Sequence, residues 1–178
     1  GRGGFVKRKK KNKREKRGVQ RQTMKTLDTR EYIGTLRELT EEGREVSLII
    51  SGSSMAPFLI HQRDRILFRK PDRELKKGDM VFYQRDNGQF VMHRIRRVSP
   101  EGYDIIGDAQ TVTESFVRRD QIFGLVTRVE RKGKWISPGD FWWEFFAHVW
   151  LHLIPVRRPL IRLYGVFAQK RKKPEAKG

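Results

Sequence analysis

Apolar and polar residues alternate in short runs through the middle of the chain and recur at helical spacing near its two ends. Tyr32, Leu36 and Leu39 fall on one helical face. Asp28 and Glu31 form a capping box ahead of them and Gly43 supplies a stop, so the spacing predicts a helix over 28–43. The period then changes. Val46 to Ile50, Arg65 to Arg69, Met80 to Gln84, Gln89 to Val98, Tyr103 to Ile106 and Ile122 to Val129 are short β-prone runs. Asp86-Asn87-Gly88 signals a hairpin, and Pro100-Glu101-Gly102 turns the chain once more. Ser137-Pro138-Gly139-Asp140 breaks the β pattern. Asp140 is placed to cap a helix running to about Ile154, which Pro155 ends. The expected fold is mainly β, with one N-terminal helix and one or two C-terminal helices.

The chain has 178 residues, enough for a core of ordinary size. Its formal charge is +19, but residues 1–23 carry +10 of it and residues 166–178 carry +4, which leaves +5 for residues 24–165. The basic character thus belongs mostly to two tails, and nucleic acid is not an expected partner of the domain except through them. Residues 1–23 are low in complexity and read as a disordered basic extension. They fit either an upstream extension, with function starting at Met24, or an arm that binds RNA or anionic lipid. The domain plan is 1–23 extension, 24–136 functional domain with its helix, 137–165 aromatic amphipathic helical segment and 166–178 basic tail.

Cysteine is absent, which removes disulfides, thiolate metal sites and a Cys nucleophile. No apolar run reaches the roughly 18 residues of a membrane span. No apolar stretch follows the basic N-terminus as a secretory signal would require. A cytoplasmic location, with or without peripheral attachment to a membrane, is the expectation.

The most specific stretch is Ser51-Gly52-Ser53-Ser54-Met55-Ala56-Pro57, at the end of an apolar run. Gly78-Asp79-Met80-Val81-Phe82, Met92-His93-Arg94-Ile95 and Gly107-Asp108 follow in order. Together, over roughly Ser47 to Val129, these four motifs resemble the signal peptidase I and LexA-like serine peptidases. The resemblance implies a signal peptidase/LexA-like β domain and a serine endopeptidase acting on a peptide or protein substrate, with no metal or organic cofactor. It implies Ser54 as nucleophile. His93 stands where many bacterial members have a Lys base, so the chain resembles the Ser-His branch. A hydroxyl needs a base within reach, and an imidazole titrates in the right range, whereas Arg94 and Arg96 stay protonated. A carboxylate that orients the imidazole completes the set. Asp108, in the Gly-Asp motif, is the first choice and Glu114 the second. The Ser54 N–H is a natural oxyanion donor, and the second donor is unassigned.

Ser54, His93 and Asp108 have bland readings as a turn serine, a strand histidine and a turn aspartate, which the four ordered motifs outweigh. A catalytically inactive binding module, with basic ends holding RNA or anionic membrane, is the alternative function. Residues 24–50 read as a polar helix and a strand, where exporting signal peptidases usually carry a membrane anchor. A peptidase acting on a precursor peptide or a regulator is therefore expected. Glu144, His148 and His152 share a helix face, but a polar stripe explains them better than a metal. Trp142, Trp143 and Trp150, followed by Arg157, Arg158 and Arg162, either pack on the β domain or lie in an anionic membrane interface.

Overall fold

The computed structural model describes residues 30–170, with side chains through Leu163. Within these the chain divides into two units between residues 38 and 39. A helix, α1, covers residues 30–41. Its buried positions are Ile33, Leu36 and Thr40, while Tyr32 is exposed. The apolar stripe is therefore turned by one residue from the predicted Tyr32–Leu36–Leu39 face. Asp28, the predicted cap, lies outside the described residues.

From residue 39 onward the structure is mainly β. Eight strands form one antiparallel sheet: β1 (Val46–Ile49), β2 (Arg65–Arg69), β3 (Met80–Gln84), β4 (Phe90–Ser99), β5 (Gly102–Ile106), β6 (Glu114–Val117), β7 (Ile122–Arg131) and β8 (Lys134–Ile136). The order is β1-β2-β7-β3-β4-β5-β6, with β8 added to β7. Six of these strands follow the predicted runs closely. The short edge strands β6 and β8 were not expected. A two-residue turn at Lys132 and Gly133, both with positive φ (51° and 77°), folds β8 back on β7. At the predicted β3–β4 hairpin, Gly88 takes φ 80° and Arg85 N–H donates to Gln89 C=O at 2.9 Å.

Both faces of the central strands are covered, which is why Met80, Val81, Phe82 and Tyr83 are all buried in succession. Side chains alternate along a strand. Val81, Tyr83, Ile95 and Ile105 point into one cluster with Tyr103, Val117, Ile122 and Leu125. The other face collects Phe68, Phe82 and Phe123, whose rings lie 4.8–6.5 Å apart.

After β8 the predicted single helix is broken into pieces. A short α2 (Phe141–Glu144) continues as a wider π turn over Phe145–Val149 and tighter 3-10 turns at Trp150–His152 and Ile154–Val156. A second helix, α3 (Arg157–Lys170), follows. Asp140 precedes α2 but does not cap it with its side chain. Its carboxylate accepts the Ser137 N–H at 2.6 Å instead.

Trp143, Phe146, Ala147, Trp150 and Leu151 are buried. Phe146 packs 4.7 Å from Phe58, and Trp143 meets the same ring edge-on at 6.3 Å. Each large apolar side chain buried this way contributes about 1.5–3 kcal/mol, so these residues belong to the core. Of the two readings of this segment, packing on the β domain holds for Trp143 and Trp150, while Trp142, beside the exposed Phe141, is half exposed. Gly78, at φ +92°, gives room to this segment, since a Cβ there would stand 3.1 Å from Ala147 Cβ. No described helix is long and apolar enough to cross a membrane.

Candidate active site

The Ser54 loop joins β1 to β2 and is fixed by its own backbone. Ala56 N–H donates to Ser53 C=O at 3.1 Å and Leu59 N–H to Met55 C=O at 2.9 Å. Phe58 and Leu59, fully buried, anchor its far end. At the near end His61 Nδ1 accepts the Gly52 N–H at 2.9 Å. The Ser54 carbonyl accepts the Ala109 N–H at 2.8 Å, which ties the loop to the segment after β5. Gly107 makes this approach feasible. A Cβ there would stand 2.6 Å from the Ser54 carbonyl oxygen, closer than any side chain tolerates.

That contact locates Ser54 relative to His93. In the β4–β5 ladder Ile95 pairs with Ile105 and Arg94 with Ile106. Extending the register by one rung brings Gly107 opposite His93. Directly opposed residues point to the same face, with Cβ atoms about 4.5–5.5 Å apart. The space on Gly107 that a side chain would fill holds the Ser54 carbonyl. The Ser54 carbonyl thus meets the chain one residue past the end of the β4–β5 ladder, while Phe58, farther along the same loop, lies 5.2 Å from the Arg94 guanidinium. Ser54 is half-buried, and among the described residues neither its hydroxyl nor its N–H has a hydrogen-bond partner. The hydroxyl–imidazole hydrogen bond is not formed in this structure. Such contacts are often long in the absence of substrate.

His93 is 3% exposed. Its Nδ1 lies 3.4 Å from the Tyr83 hydroxyl, a long contact, and that hydroxyl donates to Glu114 Oε2 at 2.7 Å. Arg85 closes the chain with bonds of 2.6–3.0 Å to the same carboxylate. Burial raises the Glu114 carboxyl, but hydrogen bonds from Arg85 and Tyr83 more than offset it, and the net shift is downward. Glu114 is thus an anion that only accepts. The Tyr83 proton must point at it, which leaves the phenol oxygen to accept from His93 Nδ1–H. A hydrogen bond across this long contact runs from Nδ1–H to the phenol, the tautomer that leaves Nε2 with its lone pair. Burial, then the nearby Arg85 charge, depresses the imidazole pKa from the ordinary 6.5 to about 4, so the ring is neutral at physiological pH. Burial, with the carboxylate beside it, also pushes the Tyr83 phenol well up.

Asp108 is elsewhere. Arg94, the neighbour of His93, points to the opposite face of β4, and its Nε and Nη2 bind the Asp108 carboxylate at 3.0 and 2.9 Å. Both side chains are completely buried. Trp150 Nε1–H donates to the Asp108 carbonyl at 2.8 Å. The expectation that Asp108 orients the imidazole is corrected by this geometry. Its carboxylate is held by Arg94 across the sheet from His93, and Glu114 is the acid connected to the ring. In the Gly78-Asp79 motif, Asp79 is also structural, gripped by Arg73 at 2.8 and 2.9 Å.

Three participants escaped sequence reasoning. Tyr83 lies inside the β-prone run Met80 to Gln84 and Arg85 just before the Asp86-Asn87-Gly88 turn, and neither belongs to a motif. Arg157, fully buried, donates to the carbonyls of Gly107 and Gln110 at 2.9 and 2.8 Å and so clamps the segment that supports Ser54. Glu144 and His148 pair at 2.9 Å while His152 turns to Lys77, and no metal-ligating cluster occurs among the described residues. Comparison with known proteins found no matching family model and no match among curated proteins or solved structures.

Proposed function

We propose that the protein is a serine endopeptidase of the signal peptidase/LexA-like type, working through Ser54 and His93. The observation that supports this reading is a buried, neutral His93 with its Nε2 unengaged, in the same sheet whose β5 end, at Gly107 and Ala109, holds the Ser54 loop. The four motifs of the nucleophile, base and Gly-Asp segments support it from the sequence side.

In this mechanism the Ser54 Oγ attacks the scissile carbonyl carbon as His93 Nε2 takes the hydroxyl proton. The oxyanion is received by the Ser54 N–H. Collapse breaks the C–N bond, and His93 returns the proton to the departing amine. Water, deprotonated by the same nitrogen, then hydrolyses the ester and frees Ser54. Glu114 acts through Tyr83. It fixes the tautomer and stabilises the imidazolium, the task assigned to a carboxylate in Ser-His-acid sites. Asp108 and Arg94 form a buried ion pair and take no part in this relay.

The test is cleavage of a complex peptide mixture, read by mass spectrometry, together with labelling by a panel of serine-reactive electrophiles. The reading expects new termini and an adduct on Ser54, both absent in Ser54→Ala. Neither adduct nor cleavage from the wild-type chain would leave the binding-module alternative in place.

A further inference from the structure

A cleft of about 600 Å³ runs along the segment between β5 and β6. One end is Ala109, whose N–H holds Ser54, and the other is Glu114, which is bonded to Tyr83 beside His93. Gln110, Thr111 and Thr113 line it between, with Arg85 and Arg158 across from them. Ser54 and His93 do not line the cleft themselves; it runs between a residue bonded to the Ser54 carbonyl and the carboxylate bonded to Tyr83.

Its charge is unbalanced. Arg85 is neutralised by Glu114, and Arg94 by Asp108. Arg157 meets only carbonyl oxygens and the Trp150 ring. Arg96 donates to the Thr113 hydroxyl at 2.9 Å and Arg158 to the Thr111 hydroxyl at 3.4 Å. Neither Arg96 nor Arg158 has a carboxylate partner among the described residues. Along the segment from Gly107 to Glu114, five guanidinium groups thus meet two carboxylates, and of the five Arg85 and Arg158 line the cleft. The strain is visible on Arg157, whose guanidinium is lowered by burial and by the Arg94 and Arg96 charges, against the pull of Asp108. A guanidinium fork is suited to a carboxylate, and the 3.4 Å contact of Arg158 is too weak to occupy it.

We infer that this cleft is the substrate groove and that it selects peptides carrying a carboxylate near the scissile bond, received by Arg158. This rests on the peptidase reading for the words "scissile bond", but the binding itself does not. The carboxylate could be an Asp or Glu side chain or the end of a chain, and the experiment separates these.

Binding is measured by fluorescence anisotropy on the full chain carrying Ser54→Ala. The probes are labelled nonapeptide pools with Glu, Gln or Lys fixed at one position, each as free acid and as C-terminal amide. At low salt the Glu amide pools are expected to bind at least about tenfold tighter than the Gln pools at one or two positions. Arg158→Glu should remove that preference or turn it toward Lys. Preference that survives only in the free-acid pools assigns the cleft to a chain terminus. The chain's +19 charge attracts any acidic peptide, so the matched reversal Arg119→Glu, at an exposed position outside the cleft lining, is the control. Equal effects of Arg158→Glu and Arg119→Glu, or equal binding of Glu and Gln pools, overturn the inference. Selective binding without any Ser54 adduct in the wild-type chain would instead overturn the peptidase reading and keep the groove.

Discussion

His93 and Arg94 are adjacent in the chain and stand on opposite faces of β4. One reaches the Tyr83–Glu114 pair and the other the Asp108 carboxylate. This parity divides two acids that look equivalent in the sequence. It gives one a place beside the imidazole and the other a place in a buried ion pair.

The division can be measured. Asp108→Ala would leave the Arg94 guanidinium buried without a counter-charge, a loss of about 3–5 kcal/mol. Glu114 is about one-third exposed, so Glu114→Gln should cost at most about 1 kcal/mol. Turnover should show the reverse weighting. In Glu114→Gln the Tyr83 proton no longer has a fixed acceptor, the imidazole tautomer is no longer set, and kcat should fall more than about tenfold with little change in KM. Thermal melts and steady-state kinetics on both variants decide this. An unstable Glu114→Gln beside a stable but inactive Asp108→Ala would reverse the assignment.

Ser54→Ala should abolish cleavage and leave the melting temperature within about 2 °C. The reason is local: the loop is held by the Ser54 carbonyl and by Phe58 and Leu59, and the hydroxyl has no partner to lose. A large drop in stability would mean that the hydroxyl serves the fold.

Much of this was readable beforehand, and what was not has physical causes. β1 to β5 and β7 were legible because each is a β-prone run ended by a turn, a break in polarity or a glycine. β6 and β8 are three or four residues long and largely exposed, so their strand character comes from their partners β5 and β7 and not from their own pattern. Ser54 and His93 were named from motifs. The choice between Asp108 and Glu114 depended on register. If Gly107 opposes His93, then Asp108 shares the face of Arg94. That register passes a bulge between Ile95 and Arg97, which no local pattern announces. In the C-terminal segment the Asp140 cap and the Pro155 stop bound one helix, but nothing in those end signals reports what lies between. Burial of Trp143, Phe146, Trp150 and Leu151 against the sheet overrode the simple 3.6-residue period.

The aromatic segment leaves a narrower membrane question than its composition suggested. Phe141 and Trp142 are 72% and 50% exposed and stack edge to face at 5.1 Å, while Trp143 and Trp150 are buried. Sedimentation with anionic vesicles should therefore weaken for Phe141→Ala and Trp142→Ala, with melting temperatures unchanged. Trp143→Ala and Trp150→Ala should lower stability by about 3–5 kcal/mol instead. The comparison is made with residues 1–23 removed, so that the attraction of their eleven basic side chains to an anionic surface does not enter the result. If the trimmed chain ignores vesicles at low salt, the exposed pair has another use.

The acid limb of activity and stability should follow His93. The folded ring takes a proton only near pH 4, whereas in the unfolded chain it does so near 6.5. Between these values the unfolded state binds more protons, so stability falls as pH drops through the window. The total is on the order of 3 kcal/mol by pH 4. Above 6.5 both states are neutral and the effect vanishes. Glu114 adds to the acid loss. Its folded carboxyl lies below the ordinary 4.5, so its stabilisation is present above that value and disappears as pH falls through the folded one. Melting temperatures from pH 7 to 4 should therefore decline less steeply in His93→Phe than in wild type. The neighbours give the sign a second check. Arg85 depresses the imidazole and Glu114 raises it. By NMR titration, Arg85→Gln should move the His93 midpoint up, and Glu114→Gln should move it down. The acid limb of kcat/KM should track the same shifts, starting below pH 5 in the wild type. A wild-type midpoint near 6.5, insensitive to both substitutions, would place the imidazole in water and remove it from the buried relay.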